Sequence, residues 1–188
     1  VDPHDVGLDK NGDPIFVVTK YNCLARPSGT HNFKPIWKPK FISKIIAEDR
    51  CHLNGLAMED GEPAYVTAVS RSDTIDGWRD RRSDGGVIID VKTDEILCDG
   101  LSMPHSPQIY NGQLYVLNSG TGELLRINRE TGEKEVVCFC PGFTRGLSFI
   151  NGFAVVGLSR PRYQRFEGLE LDQKLKDADS EPWTGVQI

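Results

Sequence analysis

No apolar run in these 188 residues approaches the roughly twenty needed for a membrane-spanning helix. The opening residues also lack the basic, apolar and small-residue succession of a secretory leader. No basic run stands out either: 22 Lys and Arg face 27 Asp and Glu, for a formal charge of −5 and a pI near 5.4. Neither a membrane nor a nucleic acid is therefore expected as a partner. The five cysteines (Cys23, Cys51, Cys98, Cys138 and Cys140) contain no CxxC spacing of the kind that binds zinc. Their odd number fits free, mostly buried thiols in a reducing compartment, and a cytoplasmic location is expected. With 38% hydrophobic and 26% charged residues, the chain has the composition of an ordinary globular domain with a real core.

The most informative stretch is 104–140, PHSPQIYNGQLYVLNSGTGELLRINRETGEKEVVCFC. It reads as four short strands joined by three turns. Ser106–Tyr110 stops at Asn111-Gly112, a pair suited to a tight hairpin because both central residues of that turn need positive φ. Gln113–Asn118 follows and breaks at Ser119-Gly120-Thr121-Gly122; Leu124, Leu125 and Ile127 mark the third strand, and Val136–Phe139 the fourth. Four antiparallel strands in so short a space form one blade of a β-propeller, and a single blade cannot bury its own faces.

The opening hairpin recurs. His4–Leu8 with Asn11-Gly12, His52–Leu56 with Asp60-Gly61, His105–Ile109 with Asn111-Gly112, and Arg145–Phe149 with Asn151-Gly152 are four copies. The steps His4 to His52, His52 to His105 and His105 to Arg145 are 48, 53 and 40 residues, a propeller-like period. The expected class is all-β, one propeller domain of four-stranded antiparallel blades over about 3–51, 52–103, 104–142 and 143–188. The chain opens inside a hairpin and stops at Ile188 within a third strand that begins at Gly185. About three and a half blades of a six-bladed ring are therefore expected, with open sheet edges through which copies could self-associate. Two short helical segments are also expected, one over Phe41–Ala47 and one around Leu169, Leu171 and Leu175.

Aligning the copies puts His4, His52, His105 and Arg145 at one position, the start of the innermost strand. Strand alternation then places those starts on the same face as the connections between second and third strands. Both long insertions, Ser70–Gly85 and Arg160–Thr184, are connections of that kind. Sites gather on loops held by a rigid scaffold. The candidate ligand-binding set at this mouth is His4, His52, Asn54, His105, Ser106, Asn118, Arg145 and Arg160, with Asp5 and Ser119 close by. Arg79, Arg81 and Arg82, next to Trp78, either cover the opening or form a solvated loop. Arg145 favours a small anion, because guanidinium matches carboxylate or phosphate. His52 and His105 are the candidate acid/base residues. His4, His52 and His105 are the candidate ligands of a divalent metal, the one cofactor considered. The alternative is a scaffold binding a protein or peptide without catalysis. A histidine at a blade junction can also simply bond the neighbouring blade.

The strings CHLNGLA, GLSMPHSPQIYNGQLYVLNSGTGEL and PGFTRGLSFINGFAVVGLSR resemble a bacterial family of conserved hypothetical proteins, a propeller domain of unknown function. The resemblance runs from Asp2 to about Pro161 and implies the fold and a longer chain. More distantly, His52–Leu56 is similar to an element of six-bladed propellers of the gluconolactonase and senescence-marker type. That likeness implies a metal-dependent, lactonase-like hydrolase holding a divalent ion through Glu, Asn and Asp oxygens. Asn54 and Asn118 match such a set and no axial Glu does.

Overall fold

A computed structural model of the chain describes residues 2–161 and 168–188. Among the described residues fifteen strands form four antiparallel sheets. The first holds β1 (Pro3–Leu8), β2 (Pro14–Val18), β3 (Cys23–Arg26) and β4 (Lys34–Trp37). The second holds β5 (Leu53–Glu59), β6 (Glu62–Ala68), β7 (Gly86–Asp90) and β8 (Ile96–Leu101). The third holds β9 (Pro104–Tyr110), β10 (Gln113–Asn118), β11 (Glu123–Ile127) and β12 (Lys134–Phe139). The fourth holds β13 (Phe143–Ile150), β14 (Phe153–Ser159) and β15 (Gly185–Gln187). Each sheet pairs in sequence order, so these are four propeller blades. Neighbouring blades touch through their first strands, β1 on β5, β5 on β9 and β9 on β13.

Turn chemistry explains the strand spacing. Asp60-Gly61, Asn111-Gly112 and Asn151-Gly152 all have positive φ at both residues, as the tight hairpin turn demands. The first blade differs from that expectation, for only Gly12 is left-handed there. Its turn is wider because the Asp9 carboxylate accepts the N–H groups of Asn11 (2.8 Å) and Asp13 (3.0 Å) and is itself held by Arg26 at 2.5 Å. Between third and fourth strands, Asp90 and Asn128 play equivalent parts, each accepting two backbone N–H groups two and three residues on.

The core lies between blades. Val17, Leu24, Leu53, Leu56 and Ile89 pack between the first and second blades, and Ala57, Ile88, Leu114 and Leu125 between the second and third. Leu117, Leu124, Leu147, Val156 and Leu158 fill the space between the third and fourth. All five cysteines are free, and burial pushes the thiols of Cys23 and Cys140 up to about 12, so those two serve as small apolar side chains.

The two helical expectations part company. Helix α1 (Glu170–Asp177) forms, with Leu171 and Leu175 buried beside Met103 and Phe143. Residues 41–47 are not helical. Ile42 is buried in the core between the first two blades, and the backbone groups there bond outward instead: Lys38 Nζ donates to the Ile42 carbonyl, and Asp73 accepts the Ser43 N–H at 3.1 Å. In the second insertion, residues 162–167 lie outside the described residues.

Candidate functional site

The mouth is built from the starts of the innermost strands, and their pairing corrects the alignment of the copies. Asp2, His52 and Met103 are the equivalent residues. Each is left-handed (φ 57°, 53° and 48°), and their carbonyls accept the N–H groups of Thr19, Val69 and Ser119. The strands then pair as Pro3 with Val18, Leu53 with Ala68 and Pro104 with Asn118. His4, Asn54 and His105 therefore share one position, and His52 precedes it by two residues. Arg145 lies in a bulge of β13 between the Thr144 and Leu147 pairs. The sequence comparison aligned histidine with histidine; counted back from the turn, Asn54 stands six residues before Asp60 as His105 stands six before Asn111, whereas His52 stands eight before.

The next residue along is a brace between blades. The Asp5 carboxylate accepts the Leu56 N–H of the second blade at 2.9 Å, and Ser106 Oγ accepts the Gly146 N–H of the fourth at 3.1 Å. At the interface between them the corresponding residue is Gly55, facing Pro107, which has no N–H to donate. A Cβ at Gly55 would sit 2.3 Å from Pro107 Cδ and 2.4 Å from Thr67 Oγ1. An acceptor thus stands where the neighbour offers a donor, and no side chain stands where it offers none. Burial raises the Asp5 carboxyl above its usual range, against the pull of its two backbone hydrogen bonds.

The two acid/base candidates occupy different surroundings. His52 donates its Nδ1–H to Asp49 Oδ2 at 2.6 Å, while Asp49 Oδ1 accepts the His52 backbone N–H at 3.0 Å. The ring stacks on Trp78 (centroids 4.2 Å apart, planes at 29°) and meets the His4 ring edge-on at 5.0 Å. Its side chain keeps 12% of its exposure. His105 is only 5% exposed. Its Nδ1 lies 2.7 Å from the Met103 carbonyl, which can only accept, so Nδ1 carries the proton and Nε2 the lone pair. Nε2 is buried and has no hydrogen-bond partner among the described residues. Burial first, and the Arg145 charge second, pull His105 down to about 3, so it is neutral at physiological pH.

The four sequence-aligned residues nonetheless converge. Burial and the His52 ring lower His4, with Arg145 adding to the effect, and Arg145, His52 and His4 all act on His105. The exposed Arg145 guanidinium lies 5.4 Å over the Phe143 ring, which in turn faces His105 edge-on at 5.8 Å. Asn54 is buried, and its Oδ1 accepts from Thr67 Oγ1 at 2.6 Å. Asn118 is buried too and braces the turn, accepting from the Ser102 N–H (2.7 Å) and donating to Thr121 Oγ1 (2.8 Å). Arg160 is exposed just beyond β14. Trp78 is buried against His52 and carries Arg79 at 4.6 Å over its ring, so the first insertion does reach the mouth. Asp49 escaped the sequence reading. Its signal was a carboxylate three residues before a histidine, the spacing at which an Asp side chain can hold a nearby backbone N–H.

Among the described residues no group of three His, Cys, Asp or Glu side chains is placed to hold a metal ion. A wide depression lined by Arg126, Arg129, Glu133 and Glu135 lies beside the third blade's hairpin turns. Its arginines are already paired, Arg126 with Glu135 and Arg129 with Glu59. Among the described residues no helix is long and apolar enough to cross a membrane.

The four blades define a β-propeller. The chain belongs to the family described as domain of unknown function (DUF4915), whose match spans residues 1–188. A comparison with curated proteins finds no match. Similar solved structures include a protein of unknown function from Bacteroides caccae, 16% identical, aligned over 83% of this chain and 53% of that one at a TM-score of 0.48. Another is a catalytically inactive virginiamycin B lyase from Staphylococcus aureus, solved with quinupristin. It is 11% identical, aligned over 84% of this chain and 48% of that one, at a TM-score of 0.49. The chain spans about half the length of these structures.

Proposed function

We propose that the mouth of this propeller binds a small anion, held by Arg145 and, once it is protonated, by the ring of His4. One observation carries the reading. An exposed guanidinium stands within electrostatic reach of His4 and His105, adding to the burial that chiefly lowers both. An anion there would form charge-assisted hydrogen bonds with Arg145 and favour the protonated form of His4. Ser106 and Asn118 brace the mouth, and Arg160 lies at its margin. The test is titration with inorganic phosphate and with pyruvate, comparing the native chain with Arg145→Gln. Binding should weaken at least about tenfold, in keeping with a lost charge-assisted bond. The melting temperature should hold within about 2 °C, because the group removed is exposed. Binding should also tighten as pH falls below 6.5, because His4 gains its proton more readily with an anion bound. Unchanged affinity in Arg145→Gln would place the site elsewhere.

A further inference from the structure

Two of the five cysteines meet sulfur to sulfur. The Cys138 and Cys140 thiols lie 3.8 Å apart, whereas the Cys51 thiol turns to Asn22 Oδ1 (3.4 Å) and the Cys98 thiol to the Asp99 carbonyl (3.7 Å). Strand geometry sets up the pair. Successive side chains of a strand point to opposite faces, so residues 138 and 140 share one face and Phe139 takes the other. The two cysteines accordingly pack with Leu147, Val156 and Leu158 of the fourth blade, while Phe139 packs with Phe143 and Leu171.

The two thiols differ in access. Cys140 is fully buried, and burial pushes its thiol up to about 12, so it stays protonated. Cys138 is half-buried, the only one of the five cysteines that is not buried. It lines a groove of about 400 Å³ between the third and fourth blades, walled by Tyr110, Tyr115 and Phe149. An oxidant therefore meets Cys138 first, with Cys140 behind it as a second thiol. The backbone there can yield. β12 is the outermost strand of its sheet, and Val137 is an extra residue between the Leu124–Cys138 and Leu125–Val136 pairs. A bridge needs the sulfurs to close from 3.8 Å to about 2.05 Å, and one spanning a single residue is strained enough to be readily reduced.

We propose that Cys138 and Cys140 form an oxidisable dithiol, in which a hydroperoxide oxidises Cys138 and Cys140 then closes a disulfide. In the first step the Cys138 sulfur attacks the terminal oxygen of the hydroperoxide and the O–O bond breaks. The sulfur becomes a sulfenic acid, and the other fragment leaves as an alcohol, or as water when the oxidant is hydrogen peroxide. In the second step the Cys140 sulfur attacks that of Cys138. The S–S bond forms, the S–O bond breaks, and hydroxide leaves with the Cys140 proton as water. The two thiols give up two electrons, and one hydroperoxide is reduced. An external dithiol returns both thiols by exchange.

Peptide mass spectrometry reads the site directly, because the tryptic peptide 135–145 carries Cys138 and Cys140 and no other cysteine. The folded chain is treated with increasing hydrogen peroxide, its remaining thiols are alkylated, and it is then digested. Peptide 135–145 should appear unalkylated and about 2 Da lighter, the mass of the two hydrogens lost. Dithiothreitol before alkylation should restore both sites, and Cys23, Cys51 and Cys98 should remain alkylated throughout. Cys140→Ala should stop at a sulfenic acid on Cys138 that dimedone traps, and Cys138→Ser should leave Cys140 a thiol. The measurement on the native chain needs no variant, so a failure of Cys140→Ala to fold would not affect it. Oxidation of Cys138 to the sulfinic acid with Cys140 still alkylated would overturn the pairing. Oxidation falling first on Cys23, Cys51 or Cys98, or a Cys138 thiol that survives the peroxide, would overturn the site.

Discussion

His52 and His105 stand on neighbouring innermost strands, and each spends its Nδ1–H on an oxygen two or three residues upstream. For His52 that oxygen belongs to a carboxylate, and the side chain keeps 12% of its exposure. For His105 it is a backbone carbonyl, and the ring is enclosed by Phe143 and Ser119. Two histidines that look alike in the sequence thus do opposite work. A neutral, enclosed imidazole is a packing element with a polar rim, whereas a carboxylate-held, accessible one is equipped to take up a proton. The distinction lies in the acceptor and in burial, and neither is a property of the histidine itself.

The largest separation between them should appear in stability. His105→Ala removes a buried ring, takes from the Met103 carbonyl the nearer of its two donors and opens a cavity beside Phe143, at a cost of about 2–4 kcal/mol. His52→Ala gives up a partly exposed stack and should cost about 1 kcal/mol. Urea unfolding at pH 7 measures both. Equal losses would erase the contrast.

Acid should enlarge the difference. His105 sits at about 3 when folded and near 6.5 when unfolded. Below pH 6.5 the unfolded chain takes up a proton that the folded chain refuses, so stability falls as pH falls, all the way down to about 3. One proton is worth about 1.4 kcal/mol per pH unit, or about 2 kcal/mol between pH 6.5 and 5. His4 acts in the same sense. Asp5, raised by burial, opposes it nearer pH 4, because its protonated form suits the folded state. Unfolding at pH 7, 6 and 5 should show the native slope, and His105→Gln should flatten it. A slope unaffected by that change would mean His105 is protonated in the folded protein.

Much of this framework was legible in the letters, for local reasons. Asp60-Gly61, Asn111-Gly112 and Asn151-Gly152 announce hairpins because only a few residue types accept positive φ. Leu171 and Leu175 announce α1 because leucines one helical turn apart share a face. What was illegible depends on the backbone. The left-handed residue ahead of each innermost strand, the place His52 takes, has no residue signature, being Asp2, His52 and Met103 in turn. Residues 41–47 have a helix-like scatter of isoleucines, but Ile42 answers to the core of two blades rather than to its own segment. Comparison of the copies also hid Asp49. In the third blade its part is played by the Met103 carbonyl, which every residue possesses, so no repeated acid could draw attention to it.

The smallest effect tests the contrast most finely. Asp49→Asn keeps the shape of the side chain and an oxygen able to accept the His52 backbone N–H, but removes the charge facing Nδ1. Since a typical hydrogen bond contributes about 1 kcal/mol and the backbone bond survives, the expected loss is about 0.5–1.5 kcal/mol. The same substitution should leave His105 untouched, because its partners Met103 and Ser119 belong to another blade. Ring 15N spectra with unfolding curves would decide it. A shifted His52 tautomer, an unshifted His105 and a loss near 1 kcal/mol would mean that Asp49 tunes a reactive ring. A loss matching that of His105→Ala would mean that Asp49 and His52 hold the blade together, as His105 does.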